Sequence, residues 1–236
     1  MKFVSINQKD NIAVVTFDRG SPNNLLNLEL IRELTEAAEL LSDQKDLLAI
    51  ILLGRKDNFC MGFDLSDHEL EELRTANLIE QRATLAAGSK MCLAWENLSP
   101  LTISGITGWC VGGGLALAVS TDLRLVSSEA TIYVPEVERA LHMSWGAIPR
   151  ITNLIGPAKA KQLIILSQKL PSKLAFKWGL VDEVICKENV RERSLDLGKI
   201  AASMPPLALK VCKQSINSYA NALAGLSSNH DLDQFL

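Results

Sequence analysis

Hydrophobic and polar positions alternate along the opening residues and then change period. KFVSINQ and NIAVVTFDR each read as a strand, with the polar residues around Lys9–Asn11 supplying the turn between them. From Asn27 to about Asp43, Leu30, Ile31, Leu34, Ala38 and Leu41 recur at helical spacing, and Asn27 is placed to cap that helix. LLAIILLG, residues 47–54, is an unbroken apolar run, the pattern of a strand covered on both faces. A polar helical stretch is predicted from Ser66 to about Glu96, then LTISGIT as a strand, VGGGLALAV as a turn and helix, and DLRLVSS as another strand.

Beyond Glu129 the pattern is mainly helical. Helices are predicted over 144–155, 157–166, 172–178 and 188–203, with VDEVIC as a short strand among them. Met204-Pro205-Pro206 breaks the last of these, and a helix resumes over 207–220. The polar stretch from Gly225 to Leu236 is expected to be partly disordered. Strands and helices alternating before a run of helices predict one α/β core over residues 1–195 with a helical carboxy-terminal extension over 196–236.

Composition removes several classes of function. Of the 236 residues 47% are hydrophobic, enough for a substantial core, and a net charge of −3 offers no electrostatic footprint for nucleic acid. Five scattered cysteines, with no CxxC pair, point to reduced thiols in a cytoplasmic protein and to no zinc site or disulfide framework. Asn97 to Thr121 carries no charge and is long enough to span a bilayer, but it contains Pro100 and several glycines. Strand, turn and buried helix explain it without a membrane.

Gly112-Gly113-Gly114 remains the pattern to explain. A dinucleotide loop needs G-x-G-x-x-G; Gly112 and Gly114 fit, but Leu117 occupies the third position, and there is no G-x-x-x-x-G-K-[ST]. Glycine at a strand-to-helix turn lets main chain approach a ligand, and the first N–H groups of the helix lack intrahelical partners. Such N–H groups stabilise an oxyanion; close helix–strand packing is the plainer explanation. NFCMGFDLS, residues 58–66, offers a second glycine turn after a buried strand, with Asp64 or Ser66 placed to cap the next helical segment. YVPEVERAL sets Glu136 after Pro135 in a largely apolar context, where the alternative to chemistry is a helix-start carboxylate or a surface ion pair with Arg139.

NFCMGFDL, VGGGLALAVSTDLRL, YVPEVERAL and KWGLVDEV, in this order, resemble the crotonase family, the enoyl-CoA hydratase/isomerase superfamily. The resemblance runs from the opening strands through NLLN at Asn24–Asn27 to the Pro205-Pro206 break. It implies a crotonase-like α/β fold, a spiral core of ββα repeats. It also implies a homotrimer or hexamer, and an acyl-CoA or acyl-carrier thioester as substrate, coenzyme A being part of the substrate and no prosthetic group being needed. The backbone N–H groups of Met61 and Gly113 would hold the thioester oxygen while an enolate forms. Leu25, Phe59, Gly62, Phe63, Asp64, Leu65, Gly112 and Pro135 would surround the thioester, with Arg19, Arg55 or Lys56 near its phosphates.

Hydratases of the family use two glutamates. Ala116 stands where the first would be, and Glu136 matches the second. A single carboxyl suits a double-bond shift, so the resemblance favours an enoyl-CoA isomerase with Glu136 as acid and base. Hydration, decarboxylation of an acyl thioester and acyl-CoA binding without turnover are the alternatives. Ser144 is expected to cap a helix starting at Trp145, and His142 is placed to assist proton transfer.

Overall fold

The computed structural model describes residues 1–73 and 75–222, so the polar stretch from Gly225 lies outside the described residues. β1 (Val4–Lys9) and β2 (Ile12–Phe17) form the expected hairpin, with Asp10 at a positive φ of 52° in its turn. Asn27 caps α1 (Leu28–Ser42), its side chain accepting from the Leu30 N–H. The five predicted apolar residues of this helix are all buried.

β3 (Ala49–Leu53) is buried at every position, as the unbroken apolar run requires. The polar stretch after it divides into α2 (His68–Leu73), α3 (Leu78–Leu85) and α4 (Ala87–Glu96). Neither Asp64 nor Ser66 caps the first of these. Asp67 stands before α2 and accepts from the Glu69 N–H at 3.3 Å and the Leu28 N–H at 2.8 Å.

The uncharged stretch from Asn97 to Thr121 becomes β4 (Leu101–Ile106), β5 (Trp109–Val111) and α5 (Gly113–Ala118). Among the described residues no helix is long and apolar enough to cross a membrane. β6 (Leu123–Ser127) follows, then β7 (Thr131–Tyr133). α6 (Ala147–Ile164) is broken at Gly156, whose φ of 75° precedes Pro157, so the two predicted helices meet there at a kink. β8 (Leu170–Pro171), α7 (Ser172–Trp178), β9 (Glu183–Ile185), α8 (Val190–Ala202) and α9 (Pro206–Ala220) complete the described chain.

The strands build two sheets. The larger has the order β1-β2-β3-β4-β6-β9 and is parallel from β2 onward; the smaller has the order β5-β7-β8. Successive turns of the chain feed one strand to each sheet, β4 then β5 and β6 then β7, which is the ββα spiral expected. α8 packs on β3 and β4 with Gly198 close to Ala49 and Ile51, and the expected boundary between residues 195 and 196 lies inside this helix. α9 is tied to the large sheet by Lys213, which pairs with Asp122 at 2.6 Å and donates to the Pro100 carbonyl at 2.7 Å.

Candidate active site

The two glycine turns lie side by side because the segments that lead into them are paired. Cys60 bridges Cys110 in parallel, with the Cys60 N–H donating to the Trp109 carbonyl at 3.1 Å and the Val111 N–H to the Cys60 carbonyl at 2.9 Å. Gly62, at φ 102°, and Gly112, at φ 48°, then turn the chain out of this pairing. The close approach needs glycine at a third place: a Cβ on Gly114 would stand 2.7 Å from Cys60 Cβ.

Accounting for each N–H separates the donors that are taken from those that are open. Met61 donates to the Asn23 carbonyl at 3.0 Å, which removes it from the donor role expected of it. Gly62 donates to Cys60 Sγ at 3.3 Å and Asp64 to the Leu26 carbonyl at 2.8 Å. Between them the Phe63 N–H has no acceptor among the described residues, so the open amide of this turn is Phe63's. At the other turn Gly112 donates to the Tyr133 carbonyl at 2.9 Å, and the first intrahelical bond of α5 is Ala116 to Gly112. Gly113 begins the helix, its N–H outside that ladder, and it is half-exposed where Gly112 and residues 114–121 are buried.

Glu136 reaches this place from the end of β7. Pro135 is buried and fixes the approach, and the carboxyl packs on Gly112 so closely that a Cβ there would stand 2.3 Å from Oε1. Oε2 is buried without a hydrogen-bond partner among the described residues. Burial raises the carboxyl from its ordinary 4.5 to about 7, opposed by its own backbone N–H and by the charge of Arg139. Arg139 itself is exposed and forms no ion pair with Glu136 among the described residues; Glu136 does precede a short helical turn, Val137–Arg139, but its side chain makes no capping hydrogen bond there. A carboxyl that ionises near neutrality can both take and return a proton.

Glu136, Gly113 and Ala116 line one cavity of about 160 Å³, whose walls include Leu28, Ile31, Phe63, Leu85 and Trp145. Ala116 is buried there and contributes a methyl group to the wall. His142 also borders the cavity, from an exposed position. Ser144 borders it too, but it does not cap a helix: α6 starts at Ala147, because Trp145 and Gly146 both have positive φ, 60° and 67°.

Phe63 and Leu65 line the cavity, while others in the expected set shape it from behind. Phe59 is fully buried, edge-on to Phe17 at 5.2 Å, and its carbonyl accepts from Asn24 Nδ2 at 2.8 Å, so it packs in the core behind the cavity wall. Gly62 and Gly112 are buried and act through backbone geometry. Asp64 pairs with Arg19, which also reaches the Leu25 carbonyl at 3.5 Å, so these three brace the first turn outside the cavity wall. Arg55 is engaged by Asp18 at 2.9 Å, and Lys56 is exposed beside it. Trp145 and Gly88 escaped sequence reasoning. Gly88 carried a readable signal, an isolated glycine within a helical pattern, which marks close packing.

The family model for enoyl-CoA hydratase/isomerase matches residues 7–234 of the chain. The short-chain-enoyl-CoA hydratase of Clostridium acetobutylicum is 31% identical over 215 residues, covering 91% of this chain and 80% of that protein. The crotonyl-CoA hydratase of Syntrophomonas wolfei is 26% identical, covering 91% of this chain and 81% of its own. Among solved structures, an enoyl-CoA hydratase from Bacillus anthracis superposes with a TM-score of 0.83 at 23% identity, over 98% of this chain and 93% of that one, a likeness of fold.

Proposed function

The chain belongs to the enoyl-CoA hydratase/isomerase family, and from that premise we propose that it shifts the double bond of an enoyl-CoA thioester, with Glu136 as the single acid and base. The thioester oxygen lies between the N–H groups of Phe63 and Gly113. Glu136 takes a proton from C2 of a 3-enoyl chain, and the electron pair moves onto the thioester oxygen to give a dienolate. The same carboxyl then returns the proton to C4, leaving the double bond between C2 and C3. Proton and electrons balance without a further reactant. Each open N–H aimed at the developing oxyanion contributes about 3 kcal/mol to lowering the barrier.

The observation that carries this reading is the pairing of Glu136, whose Oε2 is buried without a hydrogen-bond partner among the described residues, with a methyl group at Ala116. Among the described residues that line the cavity, Glu136 is the one carboxylate. Water addition is the second reading, because the relatives at 31% and 26% identity are named hydratases. It would require His142, or Glu136 alone, to take one proton from water as its oxygen adds to C3 and to deliver a proton to C2. Exposed apolar side chains along α9, among them Leu207, Ile216 and Tyr219, support association into a homotrimer or hexamer. A screen of 2-enoyl, 3-enoyl and malonyl-type thioesters, read by chromatography with mass spectrometry, separates the reactions. Isomerised 3-enoyl product supports the proposal, whereas hydrated 2-enoyl product or carbon dioxide release without isomerisation overturns it.

A further inference from the structure

One wall of the cavity is a side chain that the proton chemistry does not use. Trp145 holds a left-handed φ of 60°, a conformation that non-glycine residues keep only where their surroundings dictate it. This turn lays the indole over two bare glycine backbones. A Cβ on Gly88 would stand 2.0 Å from the indole Cε2, and one on Gly113 would stand 2.6 Å from Cζ3. Phe63 meets the ring edge-on, with centroids 5.7 Å apart and planes at 78°. The indole thus touches both turns that offer an open N–H and fills space that small residues on α4 and α5 were needed to provide.

The ring is also held from behind. Arg150 Nη1 donates to the Trp145 carbonyl at 2.9 Å, while its Nε and Nη2 donate to the two carboxylate oxygens of Glu96 at 2.7 and 2.8 Å. Such a two-point pair fixes direction as well as distance. Glu96 also accepts from Asn221 Nδ2 at 3.1 Å, just beyond α9. The turn that aims Trp145 is therefore locked to α4 on one side and to the carboxy-terminal helix on the other.

We propose that Trp145 sets the upper length of the acyl chain admitted to this cavity, with Arg150 and Glu96 as its positioning residues. The proposal rests on the thioester reading above and names the substrate class within it. The cavity volume of about 160 Å³ holds roughly five groups of water size at about 30 Å³ each. That is room for a short acyl chain of roughly four to six carbons. A ten-carbon chain has to displace the indole, which the glycine backbones, Phe63 and Arg150 oppose.

The test compares wild type with Trp145→Ala and the milder Trp145→Phe. Calorimetry measures binding of butanoyl-, hexanoyl- and decanoyl-CoA, saturated thioesters that cannot isomerise, and kcat/KM is measured on 3-hexenoyl- and 3-decenoyl-CoA. Wild type is expected to prefer the two short chains to decanoyl-CoA by about tenfold or more, and Trp145→Ala to reverse that preference, since each added buried methylene favours binding. Trp145→Phe, which keeps an aromatic wall and guards against a variant that does not fold, falls between. An unchanged length preference in both variants, or wild type that binds decanoyl-CoA as tightly as butanoyl-CoA, overturns the proposal. A reversed binding preference without turnover of any 3-enoyl thioester leaves the length limit standing and sinks the isomerase reading. No binding of any thioester sinks both.

Discussion

The carboxyl of Glu136 rests on the α-carbon of Gly112, and a methyl group there would stand 2.3 Å from Oε1. The glycine run is thus three residues with separate tasks. Gly112 makes room for the Glu136 carboxyl, Gly113 begins the helix with an open N–H, and Gly114 lets α5 approach Cys60. Gly112→Ala is expected to fail twice, by pushing Glu136 aside and by forcing alanine to a φ of 48°. The strained backbone alone costs about 1–3 kcal/mol. Chemical denaturation and an enoyl-CoA assay check the two effects, and a variant as stable and active as wild type would contradict the packing.

The ionisation of Glu136 carries a pH dependence with a definite sign. Its carboxyl ionises at 4.5 ordinarily and at about 7 in the folded chain. Its contribution to stability is therefore complete below pH 4.5 and is lost progressively as pH rises to about 7, because only the unfolded state releases its proton across that window. The loss is about 3 kcal/mol by pH 8. Glu136→Gln, which does not ionise, is expected to flatten this part of the stability curve in urea titrations at pH 5 and pH 8. In the active protein kcat/KM should rise with pH through about 7, as the carboxylate form accumulates.

An amide donor can be removed without changing the side-chain contact by comparing two variants at one position. Gly113→Ala keeps the N–H and adds a Cβ against Trp145, while Gly113→Pro adds the same carbon and deletes the N–H. Proline is tolerated at the first residue of a helix. The proline variant is expected to lose about a hundredfold more in kcat than the alanine variant, the cost of one oxyanion donor. Equal losses in the two would show that the N–H of Gly113 takes no part.

Ala116 offers a test by gain. Ala116→Glu puts a second carboxyl into the cavity that Glu136 already lines, beside the start of α5. Burying it should cost about 1–3 kcal/mol of stability. It is expected to raise hydration of 2-enoyl-CoA relative to isomerisation of 3-enoyl-CoA, measured on the same preparation. Hydration that is already efficient in wild type and falls in the variant would mean that the methyl group is not what limits water addition.

Much of this arrangement was legible in the chain, and the remainder was hidden for physical reasons. The Asn27 cap, the apolar run of β3 and the glycine turn before α5 each announce themselves through local rules of capping and periodicity. β7 and β8 do not, because strands of three and two residues are too short to show a period. The open N–H of the first turn is that of Phe63, two residues beyond the expected Met61. No pattern of residue types reveals which N–H the Asn23 carbonyl captures. Trp145 was silent for the same kind of reason: its left-handed turn and its place over Gly88 and Gly113 depend on segments distant in sequence.

The most direct measurement is the conversion of 3-hexenoyl-CoA to 2-hexenoyl-CoA by wild type and Glu136→Gln at pH 8, with the isomers separated by chromatography and identified by mass spectrometry. Wild type should form the 2-enoyl isomer. The variant should retain its fold and lose at least about a hundredfold in kcat, the contribution of a positioned acid–base group. Equal rates in the two proteins, or a wild type that leaves 3-hexenoyl-CoA untouched while it hydrates 2-hexenoyl-CoA, would contradict proton transfer by this one carboxyl.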